Sequence, residues 1–223
     1  MRKILQICIA AAGLTAMAAT PALAQLSANG AITTNYVWRG VSQSADNPAV
    51  QAGLDYDLGN GLAVGTWASS IDFGDDSPIE LDLYGGYSGA FINDTTGWDV
   101  GVIGYLYPNQ ASASPDYNFV EFYGGLSQGL DIASVSGYVY YSPDNLGTST
   151  WYYTGGIEFP LVEMAALSAN IGRYDYSTGT DYTDWNVGIG VSFELYTVSA
   201  TYIDNDLPGD NAKAILAISF ATP

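Results

Sequence analysis

The sequence predicts an all-β fold: an antiparallel transmembrane β-barrel of about twelve strands that follows a cleaved signal peptide. Three observations predict it. Residues beyond 28 fall into short segments in which apolar side chains alternate with small or polar ones, the period-two pattern of a strand with unlike faces. The connections between segments alternate between longer or Asp-rich and short, as in outer-membrane barrels with long outside loops and short periplasmic turns. Lysine and arginine almost vanish after residue 24, where only Arg39, Arg173 and Lys213 remain.

Residues 1–24 read as a secretory signal. Arg2 and Lys3 form the positive start, an apolar run follows, and Ala22-Leu23-Ala24 is a small-x-small cleavage site before Gln25. Cys8 lies inside that run, so the expected mature chain has no cysteine and no disulfide framework. All 23 acidic residues lie beyond residue 24, against three basic ones. Such an excess excludes nucleic acid as an electrostatic partner. No linker divides residues 25–223, which are expected to form one barrel domain.

The first segment, 28–44, places Ile32, Thr34, Tyr36 and Trp38 on one face, and Asn35, Val37, Arg39, Val41 and Gln43 on the other. The second, 49–58, sets Val50, Leu54 and Tyr56 against Gln51, Asp55 and Asp57. Asn60-Gly61 makes a tight hairpin turn into 62–73. The next segments are 79–91, 98–107, 118–127, 132–141, 150–159 and 164–174. The tenth is the cleanest, with Trp185, Val187, Ile189, Val191 and Phe193 opposite Asn186, Gly188, Gly190, Ser192 and Glu194. At Leu195-Tyr196 the apolar phase slips by one residue, which we read as a turn because a straight strand cannot exchange its faces. Segment 212–221 closes the set. The longer connections are 45–48, 74–78, 108–117, 142–149, 175–182 and 204–211. A soluble β-sandwich is the competing fold, but its outer faces would carry Lys and Glu rather than apolar residues.

The string Tyr36-Val37-Trp38-Arg39-Gly40-Val41-Ser42-Gln43-Ser44, close behind the signal, resembles the opening of the TorF porin family, and the resemblance extends more loosely to the end of the chain. It implies an outer-membrane β-barrel and names no solute.

Chemistry is constrained by what is missing. The chain has no histidine, so Ser-His-Asp catalysis and zinc sites of the His/Cys type have no apparatus, and no enzymatic activity, cofactor or metal is expected. The acidic stretch 204–210 fails as a calcium loop, because Pro208 occupies a ligand position and Ile215 stands where a bidentate Glu is needed. With apolar faces toward lipid, Arg39, Asp55, Asp57, Glu80, Asp82, Glu121, Glu158 and Glu194 point inward. Of these, Arg39, Asp55, Glu80, Asp82, Glu121 and Glu158 are the pore-lining candidates. Tyr84, Tyr105, Tyr123, Tyr138, Tyr152 and Tyr174 should narrow the lumen. Folding the first hairpin about Asn47 places Arg39 opposite Asp55. The expected function is passive diffusion of small solutes, cations or neutral polar ones, across the outer membrane of a Gram-negative bacterium. Lipid and lipopolysaccharide would be its surroundings. The alternatives are a non-conducting barrel that meets a partner through its loops, and a secreted β-sandwich binding domain.

Overall fold

The computed structural model describes residues 25–75, 77–91, 95–108, 110 and 116–222. Twelve strands form one closed antiparallel barrel. They are β1 (Gln25–Thr33), β4 (Ala49–Gly59), β5 (Leu62–Ser70), β6 (Ile79–Ala90), β7 (Thr96–Leu106), β8 (Phe119–Gly129), β9 (Ser134–Asn145), β10 (Thr148–Val162), β11 (Ala165–Tyr176), β12 (Tyr182–Phe193), β13 (Tyr196–Asn205) and β14 (Lys213–Ala221). Each pairs with its neighbours in sequence, and β1 closes the ring against β14. Two short strands, β2 (Val37–Trp38) and β3 (Val41–Ser42), form a separate hairpin.

The alternation that marks each segment sorts its side chains between two surfaces. Ile32, Leu54, Leu83, Leu126, Ile171 and Ile218 are exposed on the outer wall, while Gln51, Ser69, Glu80, Tyr105, Glu121 and Tyr174 are buried inside. An apolar outside around a polar and aromatic inside suits a wall of strands in lipid, where closure leaves no backbone edge unpaired. Connections 60–61, 130–133, 163–164 and 194–195 share the rim that carries the two ends of the barrel, Gln25 and Ala221, which we call the rim of the termini. Connections 34–48, 146–147, 177–181 and 206–212 leave from the other, as do the ends of β5 and β7 and the starts of β6 and β8. The phase slip near residue 195 is a turn at Glu194-Leu195, with Glu194 in the left-handed region at φ 53°.

Three sequence expectations need correction. Strand one does not run to Ser44; β1 ends at Thr33, whose register partner is Ala49. The connection 142–149 is not long, because β9 and β10 extend through it to a two-residue turn at Leu146-Gly147, with φ of 54° and 83°. Glu194 does not face inward, since it sits exposed in its turn. The stretch 108–117 lies mostly outside the described residues.

The seam between β1 and β14 has five register pairs, Asn29↔Ala221 to Thr33↔Ala217. Threonines extend it at both ends. The Thr34 amide donates to the Leu216 carbonyl and the Leu216 amide to Thr34 Oγ1. Beyond Phe220, the Ala28 amide donates to Thr222 Oγ1 and the Thr222 amide to the Ala28 carbonyl.

Inward tyrosines lie flat along the wall where the neighbouring strand offers glycine. The ring of Tyr138 on β9 covers Gly125 of β8 so closely that a Cβ at 125 would overlap it. Glycine is therefore required there by close approach. Gly125→Val should displace the Tyr138 ring and its 2.8 Å bond to Asp99 Oδ2, costing about 1–3 kcal/mol by overpacking. A lowered urea midpoint for loss of the folded band of unboiled protein on a gel would register it.

The inward hairpin as candidate functional site

Between Thr33 and Ala49 the chain leaves the wall and folds into the lumen. Val37-Trp38 pairs with Val41-Ser42 across a two-residue turn at Arg39-Gly40, with φ of 48° and 82°. Two successive left-handed residues are the geometry of a primed hairpin turn, which glycine accepts and arginine resists. Ala45 and Asp46, at φ 49° and 61°, turn the chain back toward β4. Asn35 knots the base of this excursion. Its Nδ2 donates to Asp46 Oδ1 at 2.7 Å, and its Oδ1 accepts from the Ser42 and Ser44 hydroxyls.

Partners from much of the wall hold the hairpin in place. Tyr36 Oη donates to Glu80 Oε1 at 2.8 Å, and its ring meets Trp67 edge-on. Tyr182 Oη donates to the Arg39 carbonyl at 3.0 Å and Asn205 Nδ2 to the Gly40 carbonyl at 2.8 Å. Trp38 packs against Tyr105, Phe119 and Tyr174. A cavity of about 30 Å³ separates Tyr36 and Val37 from the wall at Gln51, Thr201 and Ile215.

At the tip, the Arg39 guanidinium forms a bidentate pair with Glu121, both bonds 2.7 Å long. The two side chains are 6% and 1% exposed, so neither charge is solvated. Tyr105 Oη adds a 3.1 Å bond to Glu121 Oε2. Four rings surround the cation: Tyr152 at 4.1 Å, Trp38 at 4.2 Å, Tyr140 at 4.9 Å and Tyr174 at 5.0 Å from their centroids. A fork-to-fork carboxylate and π faces are the two contacts a guanidinium makes best. Asp184 supports the cage from behind by accepting from Tyr152 Oη at 3.0 Å.

The acids therefore stand at two levels. Glu80, Asp82, Glu121 and Asp184 lie level with the hairpin and are buried; Asp82 Oδ1 has no hydrogen-bond partner among the described residues. Asp55, Asp57, Asp99 and Glu158 lie nearer the rim of the termini, and all but Asp99 keep some exposure. Asp55 accepts from Asn29 at 2.9 Å and Tyr84 at 2.5 Å. Arg39 is therefore not opposite Asp55: the hairpin carries it to Glu121, 82 residues along the chain. Of the six pore-lining candidates, the structure brings Arg39 and Glu121 into contact, with Glu80 tied to the same hairpin through Tyr36. It leaves Asp55 and Glu158 apart from them.

Sequence reasoning missed Tyr182, Asn205 and Asp184. It also missed the hairpin, whose signal was present: Arg39-Gly40 flanked by Val37-Trp38 and Val41-Ser42 has the X-Gly form of a two-residue turn. Outside the barrel, the 206–212 connection is internally bonded. Burial alone would raise the Asp210 carboxyl, but bonds from Lys213 Nζ at 2.5 Å and Asn205 Nδ2 at 2.7 Å hold it below its ordinary value.

Comparison with known proteins adds two findings. A family model described as "Bacterial protein of unknown function (Gcw_chp)" matches residues 15–217. Among solved structures, the fold is similar to the KdgM porin, with TM-score 0.65 and 9% identity over 88% of this chain and 99% of that one. The KdgM porin in complex with disordered oligogalacturonate gives 0.63 and 9% over 89% and 99%. The NanC porin gives 0.59 and 10% over 89% and 98%. No curated protein matches the chain.

Proposed function

We propose that this chain, which belongs to the Gcw_chp family of bacterial proteins, is a narrow outer-membrane porin for small cations and neutral polar solutes. The observation that carries this is the closed twelve-strand wall, apolar outside and polar inside, in the architecture of KdgM and NanC. The resemblance of residues 36–44 to the TorF porin family points the same way. The mature protein begins at Gln25 and sits among lipid and lipopolysaccharide. KdgM has been seen with oligogalacturonate, but an acidic oligosaccharide is a poor solute for this lumen. Its one inward hairpin cation is already neutralised by Glu121, whereas Asp55, Asp57, Asp99 and Glu158 line the passage toward the termini.

A second reading has an observation in its favour. The lumen around Arg39 is packed with side chains that water hardly reaches, as in a plugged, non-conducting barrel that acts through its loops. Refolded protein in planar bilayers separates the two. A porin gives steps of current whose reversal potential under a KCl gradient is that of a cation-selective pore, more strongly so in dilute salt, where screening extends over about 10 Å at 0.1 M or further. Asp55→Asn together with Glu158→Gln should move that potential toward the non-selective value. Glu121 is the weaker probe, because Arg39 cancels its charge. Absence of current in every salt would favour the plugged barrel.

A further inference from the structure

We propose that the Glu121 cage is a binding site for guanidinium-bearing solutes, and that Arg39 is a tethered occupant which such a solute displaces on its way through. This rests on the porin reading above and specifies a solute class for it. The cage has the parts a receptor for a free guanidinium needs. A carboxylate presents both oxygens at 2.7 Å to two nitrogens. Its orientation is braced by Tyr105. Rings of Tyr140, Tyr152 and Tyr174 supply π faces from three adjacent strands, and Asp184 fixes Tyr152. All of these belong to the wall, so the receptor remains when Arg39 leaves.

Departure of Arg39 does not require the hairpin to unfold. The turn is held to the wall through backbone carbonyls, that of Arg39 by Tyr182 and that of Gly40 by Asn205. Neither bond involves the guanidinium, so both can persist when it leaves the cage. Arginine also sits at a left-handed turn position, φ 48°, which Asn or Gly would fill with less strain. What the position gains from arginine is the side chain's contact with the cage.

Selectivity follows from shape. A planar guanidinium offers parallel N–H donors to Glu121 and flat faces to the rings. Tetramethylammonium has the same charge and can lie against the rings, but it has no N–H for the carboxylate.

The test uses full-length refolded protein, with tryptophan fluorescence (Trp38 borders the cage) followed as guanidinium chloride or tetramethylammonium chloride is added in the millimolar range at constant ionic strength. Arg39→Asn keeps a turn residue suited to φ > 0 and vacates the cage. That variant should bind guanidinium saturably, about tenfold or more tighter than tetramethylammonium, the margin that a single charge-assisted hydrogen bond provides. Adding Glu121→Gln should abolish the preference. Wild type should show the same preference at higher concentrations, because Arg39 competes. Equal responses to the two cations, or none, in folded Arg39→Asn would overturn the proposal; should that variant not refold, the same result with wild type would overturn it. Bilayer currents are read separately. Preference for guanidinium in a barrel that never conducts sinks the porin reading and keeps the site, whereas KCl currents without that preference keep the porin and sink the site.

Discussion

Joining Thr33 directly to Ala49 through an Asn-Gly turn, with residues 34–48 removed, is expected to raise single-channel conductance several-fold. The wall should tolerate the excision, since Thr33 and Ala49 are already register partners at the ends of β1 and β4, and Asn-Gly favours the tight turn that antiparallel neighbours need. What is lost is Thr34, whose bonds to Leu216 extend the seam with β14, and material from the lumen: Tyr36, Val37 and Trp38, with the buried contacts they make to β5, β7, β8 and β11. Conductance scales with the free cross-section, and the hairpin occupies the level where the wall tyrosines already converge. Bilayer recordings of the excised and intact proteins decide it. Equal conductance would mean that ions pass beside the hairpin and that it does not set the constriction.

Glu121→Ala should be the most destabilising single substitution in the lumen. It leaves the Arg39 charge in a site of 6% exposure with no counter-ion, a situation that costs about 3–5 kcal/mol when one partner of a buried pair is removed. Arg39 has a way out that a buried core charge lacks: the hairpin can withdraw toward water. The variant should therefore lose stability in urea and conduct more variably, as the hairpin moves between positions. Combining it with Arg39→Asn removes the stranded charge and should restore much of the loss. If Glu121→Ala alone unfolds at the wild-type urea concentration, the pair holds no net stabilisation and the hairpin is kept by its backbone and aromatic contacts.

The wall was legible in the sequence because its information is local. Eleven of the twelve barrel strands were anticipated near their observed positions, since each announces itself by period-two alternation and two of the turns by a Gly or a phase slip, at Asn60-Gly61 and Glu194-Leu195. The first strand was overextended for the same reason. Residues 37–42 alternate because they are themselves a small hairpin, and periodicity does not say whether a strand belongs to the wall or hangs inside it. The turn at Leu146-Gly147 was hidden by a leucine in a left-handed position that Asn normally takes. The site was less legible still. Arg39 meets Glu121 across 82 residues, and Tyr140, Tyr152 and Tyr174 reach it from successive strands. Each of those tyrosines has a visible inward phase, but nothing local tells which of the inward acids and rings share a level. That depends on strand stagger around the closed ring, a property of the whole circumference.

The five-pair seam has a consequence for the order of events in assembly. A hairpin that ends up inside a closed ring must be inside before the ring shuts, or must fold in through the mouth of the finished barrel. β1 carries the hairpin at one end and the seam along its length, so the strand that delivers the lumen's contents is also the strand that closes the door. The seam has fewer register pairs than the eight or more of every other ladder in the barrel, which makes it the natural last barrel ladder to form and the first to part. The lifetime of the closed barrel is thereby a property of Asn29–Thr33 and of the two threonines that clasp its ends, rather than of the wall as a whole.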